Sequence, residues 1–401
     1  MSHGFDRREF LQRSAVASLA LAAGPAAAAD ATPRIRRQIT LGRTGLRVGD
    51  IGFGSSDLRD DERLVHHALD RGIDYFDTAD SYTGGVSETT MGKALRGRRD
   101  QIVLVTKAKL RATDRKQDMM AKLEGSLRRL QTDHVDVYFN HAVNEIERLS
   151  NPEWHEFNAL AKQQGKIRFV GMSGHSGLLI DCIDYVTEHD LVDVLLVAFN
   201  FGQDPAFYER VLKRLDLIAL QPKLPAALSR AKAKGIGVVA MKTLRGASHQ
   251  DLAPFQQDGR TFAQAAFRWV LSHPSVDSLI VTMKSPAQID EYLGASGWTR
   301  TAASDARALA RYEAREGQRQ CRYGCSSCSS ACPAGVEISE VLRTRMYAED
   351  YGSLDLAQSE YAGIGTNAAA CLSCSGQPCA TACPHGLPIS ELTGRTARLL
   401  S

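Results

Sequence analysis

Short apolar runs alternate with amphipathic stretches through the middle of this chain. Each run has the length and the β-branched content of a strand, and each following stretch has helical periodicity. The runs end near eight positions, which are Gly54, Asp77, Lys107, His141, Ser173, Asn200, Lys242 and Met283. Eight successive strand-and-helix units predict an α/β fold in which the parallel strands close into a (β/α)8 TIM barrel.

Helix signals separate the predicted strands. The amphipathic stretch 61–70 ends at Gly72, as helices often do. Thr261 and Gln264 form a capping box ahead of the apolar stretch 262–271. One helical face carries Met120, Leu123, Leu127 and Leu130. These signals predict helices on the outside of the barrel, each with one buried face.

Side chains suited to proton transfer stand at the ends of three of these runs. Asp77 ends the second run, Lys107 the third and His141 the fourth, and Tyr82 follows Asp77 by five residues. The carboxyl ends of the strands meet at one mouth of such a barrel, so we expect these side chains to converge. Each alone has an ordinary explanation as a cap or a solvated charge. Together at successive strand ends they favour an active site.

The four groups suit carbonyl chemistry. A phenol with a pKa near about 10 is a poor acid at neutral pH. A buried ammonium at Lys107, held by Asp77, should lower the pKa of Tyr82 and ease proton donation. His141 can orient a carbonyl oxygen by a hydrogen bond. With a hydride donor above the site, this pattern predicts that a carbonyl and an alcohol are interconverted, with Tyr82 as general acid/base.

The motifs around these residues resemble the aldo-keto reductase family over about residues 38–295. The matching segments are Leu41-Gly42-x-Thr44-Gly45-Leu46-x-Val48, Ile51-Gly52-Phe53-Gly54, Phe76-Asp77-Thr78-Ala79 with Tyr82, Thr106-Lys107, and Val135-Asp136-Val137-Tyr138 with His141. The resemblance implies a small-molecule carbonyl or alcohol as substrate. It also implies that Asp77, Tyr82, Lys107 and His141 are the catalytic residues.

The same resemblance implies a nicotinamide coenzyme, NADP or NAD. The implied coenzyme-binding residues are Gly54, Ser55, Ser173, Gly174, Lys242, Leu244, Lys284, Ser285, Gln288 and Glu291. Three positions depart from the family's pattern, since Gly174 replaces an asparagine, Leu196 a glutamine and Met241 an aromatic residue. The departures weaken the implied contacts with the nicotinamide and leave the choice between NADP and NAD open.

Eight of the nine cysteines lie between Cys321 and Cys383. They form two runs, Cys321-x3-Cys325-x2-Cys328-x3-Cys332-Pro and Cys371-x2-Cys374-x4-Cys379-x3-Cys383-Pro. These runs resemble the ligand runs of bacterial ferredoxins. The resemblance implies two [4Fe–4S] clusters in a small α-helical ferredoxin-like domain, with the fourth cysteine of each run often serving the other cluster. Two zinc sites and four disulfides are the alternatives.

The segments around the cysteine runs read as helices. The stretch 301–316 predicts a helix that links the barrel to the cysteine domain, and 339–349 predicts a helix between the two runs. The ninth cysteine, Cys182, lies within the helical pattern of 178–188, where a small buried side chain is expected.

The amino terminus has the pattern of a targeting signal rather than of a folded element. Arg7 and Arg8 precede a mild apolar run at 14–23, and small residues up to Ala29 suit signal cleavage. Residues 1–29 thus resemble a twin-arginine export signal. This predicts a periplasmic protein that is exported folded, with its cofactors in place. A disordered tail with a chance arginine pair is the alternative.

Length and charge narrow the possible partners. The chain has 401 residues, of which 43% are hydrophobic, enough for a barrel at 38–299 and a cysteine domain at 318–401. The net charge of +3 implies neither nucleic acid nor an acidic surface as a partner. No apolar run reaches the roughly 18 residues that a transmembrane helix requires.

These features predict an exported oxidoreductase whose clusters relay electrons between the barrel and a redox partner protein or a quinone. A hydride carries two electrons and a cluster one, and the sequence shows no flavin motif to convert between them. The alternative is a non-enzymatic electron carrier or nicotinamide-sensing subunit that uses the barrel as a scaffold. Gly174 and Leu196 favour this alternative, and the four catalytic residues oppose it.

Overall fold

The computed structural model describes residues 32–203, 223–247, 251–256 and 259–401. The predicted export signal at 1–29 lies outside these residues. Arg34–Ser401 form one compact unit, to which all elements below belong.

Eight parallel strands close into a barrel, as the sequence predicts. The strands are β3 Ile51–Gly54, β4 Tyr75–Asp77, β5 Val103–Ala108, β6 Val135–Asn140, β7 Ile167–Gly174, β8 Val194–Ala198, β9 Gly237–Met241 and β10 Ser278–Thr282. The ring closes where β10 pairs with β3, with Leu279 opposite Ile51. Each strand ends within two residues of its predicted end. The polar residues at those ends are therefore brought to one mouth.

A short hairpin precedes the barrel and packs against its interior. Its strands, β1 Gln38–Thr40 and β2 Arg47–Gly49, are antiparallel. Leu41 in the hairpin turn is fully buried with the apolar residues that fill the barrel. A Cβ atom on Gly42 would lie 2.3 Å from the backbone nitrogen of Gly237, so only glycine fits there.

Nine helices cover the barrel in the described ranges. They are α1 Glu62–Asp70, α2 Val86–Ala94, α3 Lys116–Leu130, α4 Glu147–Ser150, α5 Pro152–Gln163, α6 Leu179–Glu188, α7 Lys223–Ala233, α8 Phe262–Leu271 and α9 Pro286–Leu293. Thr261 caps α8 as predicted, accepting from the backbone N–H of Gln264 at 3.2 Å, but the Gln264 side chain donates to Glu291 and does not complete the predicted capping box. Cys182 is fully buried, also as predicted. In α3 the fully buried methionine is Met119, whereas Met120 is only partly buried.

Five further helices follow the barrel. They are α10 Ala303–Glu316, α11 Ile338–Glu349, α12 Leu354–Ala362, α13 Pro378–Ala382 and α14 Ile389–Leu400. Those after α10 share a small apolar core that includes Val341, Tyr361 and Ile389. The buried carboxylate of Glu313 in α10 lies 3.0 Å from Arg245, which follows β9. Among the described residues no helix is both long and apolar enough to span a bilayer.

Candidate active site

Asp77 and Lys107 form a buried ion pair at the barrel mouth. Asp77 lies opposite Val105 in the parallel register, so Lys107 extends past the end of β4. Its Nζ donates to Asp77 Oδ1 at 2.6 Å and to the carbonyl oxygen of Thr78 at 2.5 Å. Both side chains are only 1% exposed. This pairing fixes the lysine beside the third member of the site, since its Nζ lies 4.7 Å from the centre of the Tyr82 ring.

Tyr82 and His141 face each other across the same cavity. Tyr82 begins a short turn in which Thr83, Gly84 and Gly85 all have positive φ angles. The turn reverses the chain and leaves Tyr82 over the mouth. His141 follows β6 directly, and its ring centre lies 5.8 Å from that of Tyr82 in an edge-to-face arrangement. The structure therefore brings all four predicted catalytic side chains together.

Burial dominates the acid–base properties of this pair of rings. Burial raises the pKa of Tyr82 well above its ordinary value, and the carboxylates of Asp77 and Asp80 add to the shift. The expected lowering of the Tyr82 pKa is therefore wrong, because the ammonium of Lys107 donates to Asp77 rather than to the phenol. Burial also lowers the pKa of His141 well below its ordinary value, with a contribution from Lys107. Tyr82 is thus protonated and His141 neutral at neutral pH.

A single cavity extends from the catalytic residues across the mouth. It holds about 1230 Å³ of empty space, part of it open to solvent. Six of the ten predicted coenzyme residues line it, namely Gly54, Ser55, Lys242, Leu244, Lys284 and Gln288. Lys284 Nζ lies 2.8 Å from Asp57. The buried hydroxyl of Thr243, also in the lining, has no hydrogen-bond partner among the described residues. Two lysines and a hydroxyl without a partner among the described residues line one cavity, and they fit a phosphate-bearing coenzyme.

The predicted residues at the end of β7 do not line the cavity. The hydroxyl of Ser173 accepts from the backbone N–H of Ala142 at 2.9 Å. Gly174 is packed closely, since a Cβ atom there would lie 2.7 Å from Leu179. Leu196 is fully buried in the barrel interior. The side chains that should hold the nicotinamide are therefore used for packing and local hydrogen bonds.

Two predicted residues near α9 also lie outside the lining. Ser285 caps α9, because its hydroxyl accepts from the backbone N–H of Gln288 at 3.2 Å. The backbone carbonyl of Glu291 accepts from Gln264 Nε2 at 2.9 Å. At this end of the cavity, Lys284 and Gln288 are the predicted residues that reach it.

Residues from α11, α12 and the turn between them line the cavity too, and the sequence did not predict this. They are Tyr347, Tyr351, Ser353, Leu356 and Glu360. Tyr347 and Tyr351 stand four residues apart at the end of α11 and just beyond it, and the centres of their rings lie 6.3 Å apart. That spacing indicates a paired aromatic surface, but the sequence does not say what the surface covers.

The first three cysteines of the first run lie with the last cysteine of the second. Burial raises the pKa of the Cys321 thiol well above its ordinary value, and the nearby thiols of Cys325, Cys328 and Cys383 raise it further. No disulfide joins any of the nine cysteines, all of which lie in the described residues. This grouping joins residues far apart in sequence.

The remaining four cysteines form a second group. Burial raises the pKa of Cys379, and the thiols of Cys332, Cys371 and Cys374 add to it. All four line one cavity beneath α13 and α14. Within the ranges that the structure covers, no three His, Cys, Asp or Glu side chains are placed to hold a single metal ion. Cys383 therefore lies with the first run and Cys332 with the second, so the two runs exchange their last cysteines.

The closed ring of parallel strands, with the four predicted catalytic side chains at its mouth, has the architecture of the barrel oxidoreductases. A profile of the Aldo/keto reductase family matches residues 38–310, and the chain belongs to this family.

Several relatives extend the comparison. The chain is 29% identical to L-galactose dehydrogenase from Arabidopsis thaliana, over 68% of this chain and 92% of that protein. It is 27% identical to aldo-keto reductase YhdN from Bacillus subtilis (strain 168), over 65% of this chain and 87% of that protein. The holo form of aldo-keto reductase AKR11C1 from Bacillus halodurans shares the fold, with a TM-score of 0.54 at 24% identity over 69% of this chain and 95% of that one.

Proposed function

We propose that this chain is an NAD(P)H-dependent enzyme that interconverts a carbonyl and an alcohol, with Tyr82 as general acid/base. The observation that carries the proposal is the buried pair of Lys107 and Asp77, with Lys107 4.7 Å from the ring of Tyr82 and His141 facing that ring. Reduction consumes one carbonyl, one reduced coenzyme and one proton, and yields one alcohol and one oxidised coenzyme.

In the proposed mechanism each side chain has one role. The neutral imidazole of His141 donates an N–H to the carbonyl oxygen and orients it. Tyr82, kept protonated by burial, gives its proton to that oxygen as negative charge develops. The ammonium of Lys107, held by Asp77, stabilises the phenolate left on Tyr82. When bound, the coenzyme supplies the hydride to the carbonyl carbon.

The coenzyme would lie along the part of the cavity that includes Thr243. Lys242 and Lys284 line this part and can bind phosphate groups, and the unpaired hydroxyl of Thr243 can donate to one. Gln288 is held in place, because its side chain accepts from the backbone N–H of Lys284 at 2.7 Å and donates to Tyr292 at 2.7 Å. Both lysines are distant in sequence from Tyr82 and His141, but all four residues line the same cavity.

The test of this proposal replaces the phenol. Tyr82→Phe should lower NADPH-dependent turnover of small aldehydes by at least about 10²-fold, because it removes the general acid. Tyr138→Phe is the matched control, since Tyr138 lies in β6 outside the cavity and its buried hydroxyl has no partner among the described residues. Unchanged turnover in Tyr82→Phe would reject the proposed role.

The proposal includes two [4Fe–4S] clusters. Its support is the exchange of the last cysteines, Cys383 and Cys332, between the two groups, the pattern of two-cluster ferredoxins. Each thiolate of such a cluster binds a different iron atom, so the sulfurs stand further apart than around one ion. Two clusters that hold one electron each hold two electrons together, and two is the number that one hydride carries. A redox partner protein or a quinone would exchange these electrons with the chain.

Metal analysis tests the clusters. Protein purified without oxygen should contain about eight iron atoms and about eight acid-labile sulfides per chain, and should give a reduced [4Fe–4S] signal in electron paramagnetic resonance (EPR). About two zinc atoms per chain and no sulfide would reject the clusters. If the protein loses the EPR signal of the clusters but keeps its carbonyl turnover, the clusters have a structural role.

The proposal also includes export of the folded protein to the periplasm. Its support is the arginine pair Arg7-Arg8 ahead of an apolar run. Replacement of both arginines by lysine should keep the protein in the cytoplasm, because the export machinery recognises the pair. Cell fractionation measures this. Equal periplasmic amounts of both forms would reject the twin-arginine route.

A second candidate function is a non-enzymatic electron carrier or nicotinamide-sensing subunit. It is favoured by one observation, that neither Ser173 nor Leu196 presents its side chain to the cavity. The Tyr82→Phe experiment separates the two functions. Coenzyme binding without any carbonyl turnover in the unaltered protein would favour the second.

A further inference from the structure

The helix pair α11 and α12 forms a wall of the catalytic cavity. Tyr347 lies near the end of α11, and Leu356 and Glu360 lie in α12. These residues share the cavity with Tyr82 and His141. A substrate in that cavity is therefore in reach of side chains that come from outside the barrel.

Polar contacts fix this wall to the ends of barrel strands. Lys109, just after β5, has its Nζ 3.7 Å from Glu360. His175, just after β7, has its Nε2 3.1 Å from the hydroxyl of Tyr347. Both barrel residues follow the strand ends that build the mouth. The contacts fix the position of the helix pair relative to the catalytic residues.

A third contact involves a cation and two rings. Lys242, just after β9, has its Nζ 4.6 Å from the ring centre of Tyr347 and 4.9 Å from that of Tyr351. Cation–π contacts of this kind contribute about 0.5–2 kcal/mol each. The wall is thus attached at three separate strand ends, and its side chains hold fixed positions.

Glu360 is the charged member of the wall. Arg343 in α11 donates to Glu360 at 3.0 Å and to Glu340 at 2.7 Å. Although burial opposes it, Arg343 and Lys109 hold the pKa of Glu360 below its usual value. Glu360 is therefore an anchored carboxylate at neutral pH. Its charge contributes to the raised pKa of Tyr82, so it acts within electrostatic range of the proposed general acid.

We propose that Glu360 is a specificity-determining residue that accepts a hydrogen bond from a hydroxyl group of a neutral, polyhydroxylated carbonyl or alcohol substrate. An ionised carboxylate only accepts hydrogen bonds, so its match in a substrate is a donor. An apolar substrate offers no donor to Glu360 Oε1, the oxygen that the contacts from Arg343 and Lys109 leave open, and the negative charge of the carboxylate disfavours an anionic substrate. The inference rests on the proposed carbonyl chemistry and deepens it by naming the substrate class.

The first experiment uses the unaltered protein with matched aldehydes. Glyceraldehyde and propanal have the same carbon chain, but only glyceraldehyde has hydroxyl groups. Glycolaldehyde and glyoxylate are both two-carbon aldehydes, but glycolaldehyde has a hydroxyl group where glyoxylate has a carboxylate. We expect kcat/KM to be at least about tenfold higher for the hydroxylated member of each pair, as a charged hydrogen bond implies. Equal or reversed preferences would overturn the inference.

The second experiment changes the carboxylate. Glu360→Gln keeps the shape of the side chain and removes its charge. We expect kcat/KM for glyceraldehyde to fall about 10- to 100-fold, mainly through a higher KM, while propanal changes less than about threefold. An equal loss for both aldehydes would overturn the inference.

Glu340→Gln is the matched control. Glu340 pairs with the same arginine, Arg343, but does not line the cavity. Its replacement should leave the preference for glyceraldehyde over propanal unchanged. A shift of that preference in Glu340→Gln as large as in Glu360→Gln would contradict a direct contact with the substrate. If the unaltered protein reduces none of the aldehydes, the proposed function fails rather than this inference.

Discussion

The backbone N–H of Gly324 donates a 2.8 Å hydrogen bond to the carbonyl oxygen of Ser176. Gly324 directly precedes Cys325, and Ser176 follows β7 by two residues. The neighbouring Gly177 is equally close, because a Cβ atom there would lie 3.1 Å from the carbonyl oxygen of Cys325. The first cysteine run therefore rests on a loop beside the catalytic cavity.

This contact leads to a prediction for Gly177→Ala. The added methyl group would also lie 2.6 Å from the hydroxyl of Ser339 in α11, so that side chain must move, and the 3.1 Å approach to Cys325 requires the loop and the cysteine run to shift slightly apart. We expect a loss of about 1–3 kcal/mol in the free energy of unfolding and an altered EPR signal from one cluster. Gly376→Ala is the control, since its nearest neighbour is Pro378 at 3.8 Å. Equal effects of the two substitutions would contradict the contact.

Asp77→Asn should affect stability and activity together. It removes the negative charge that balances the buried ammonium of Lys107 and leaves it with neutral acceptors, such as the carbonyl oxygen of Thr78. We expect a loss of about 3–5 kcal/mol in the free energy of unfolding, measured by denaturant titration, and a fall in kcat. The double variant Asp77→Asn with Lys107→Met should regain most of the stability but none of the activity. Recovery of activity would show that the ion pair is only structural.

The pH dependence of carbonyl reduction should be flat in kcat. The pKa of Tyr82 is raised by burial and that of His141 is lowered by burial, so the first stays protonated and the second neutral between about pH 6.5 and 9. Alcohol oxidation needs Tyr82 deprotonated, so its rate should rise with pH over the whole range. A fall in the reduction rate centred near neutral pH would contradict both assignments.

The KM for the coenzyme should vary with pH instead. Burial lowers the pKa of Lys242 to about 7. As the pH rises through that value, Lys242 loses its charge and its attraction for a phosphate group, so the KM for NADPH should rise. Lys242→Met should have a high KM at every pH. A KM that still rises near pH 7 in this variant would assign the titration to another group.

The exchange of cysteines between the two runs can be tested with paired substitutions. Cys321→Ala with Cys383→Ala should lose only one cluster, because both residues belong to the same group. Cys321→Ala with Cys332→Ala should disturb both. Iron content and EPR spectra measure the difference. If each run instead forms its own cluster, the two results will be reversed.

Much of the site could be predicted because it depends on local sequence. Asp77 and Lys107 end runs whose apolar pattern marks them as buried strands, and parallel strands bring their ends together. The order of strands was therefore enough to predict that the candidate catalytic residues meet. The cap at Thr261 was equally local, since it is defined by one hydroxyl and the backbone N–H of Gln264, three positions further on.

Other features depend on packing that no local pattern encodes. The hairpin of β1 and β2 was missed because strands of three residues have no visible periodicity. The direction of the Tyr82 pKa shift follows from burial, which the wall of α11 and α12 helps to create. Ser173 fits the family's pattern in sequence, yet its hydroxyl turns to the backbone of Ala142.

The attachment of α11 and α12 to three strand ends has a consequence for how the protein matures. Both helices lie between the two cysteine runs, so the chain that carries them is tethered at each end to a group of thiols. If those thiols bind the proposed clusters, the inorganic centres hold the two ends of the segment, while the contacts with the strand ends hold its middle. Loss of the clusters would then release the ends of this wall of the cavity and leave the barrel residues Asp77, Tyr82, Lys107 and His141 in place.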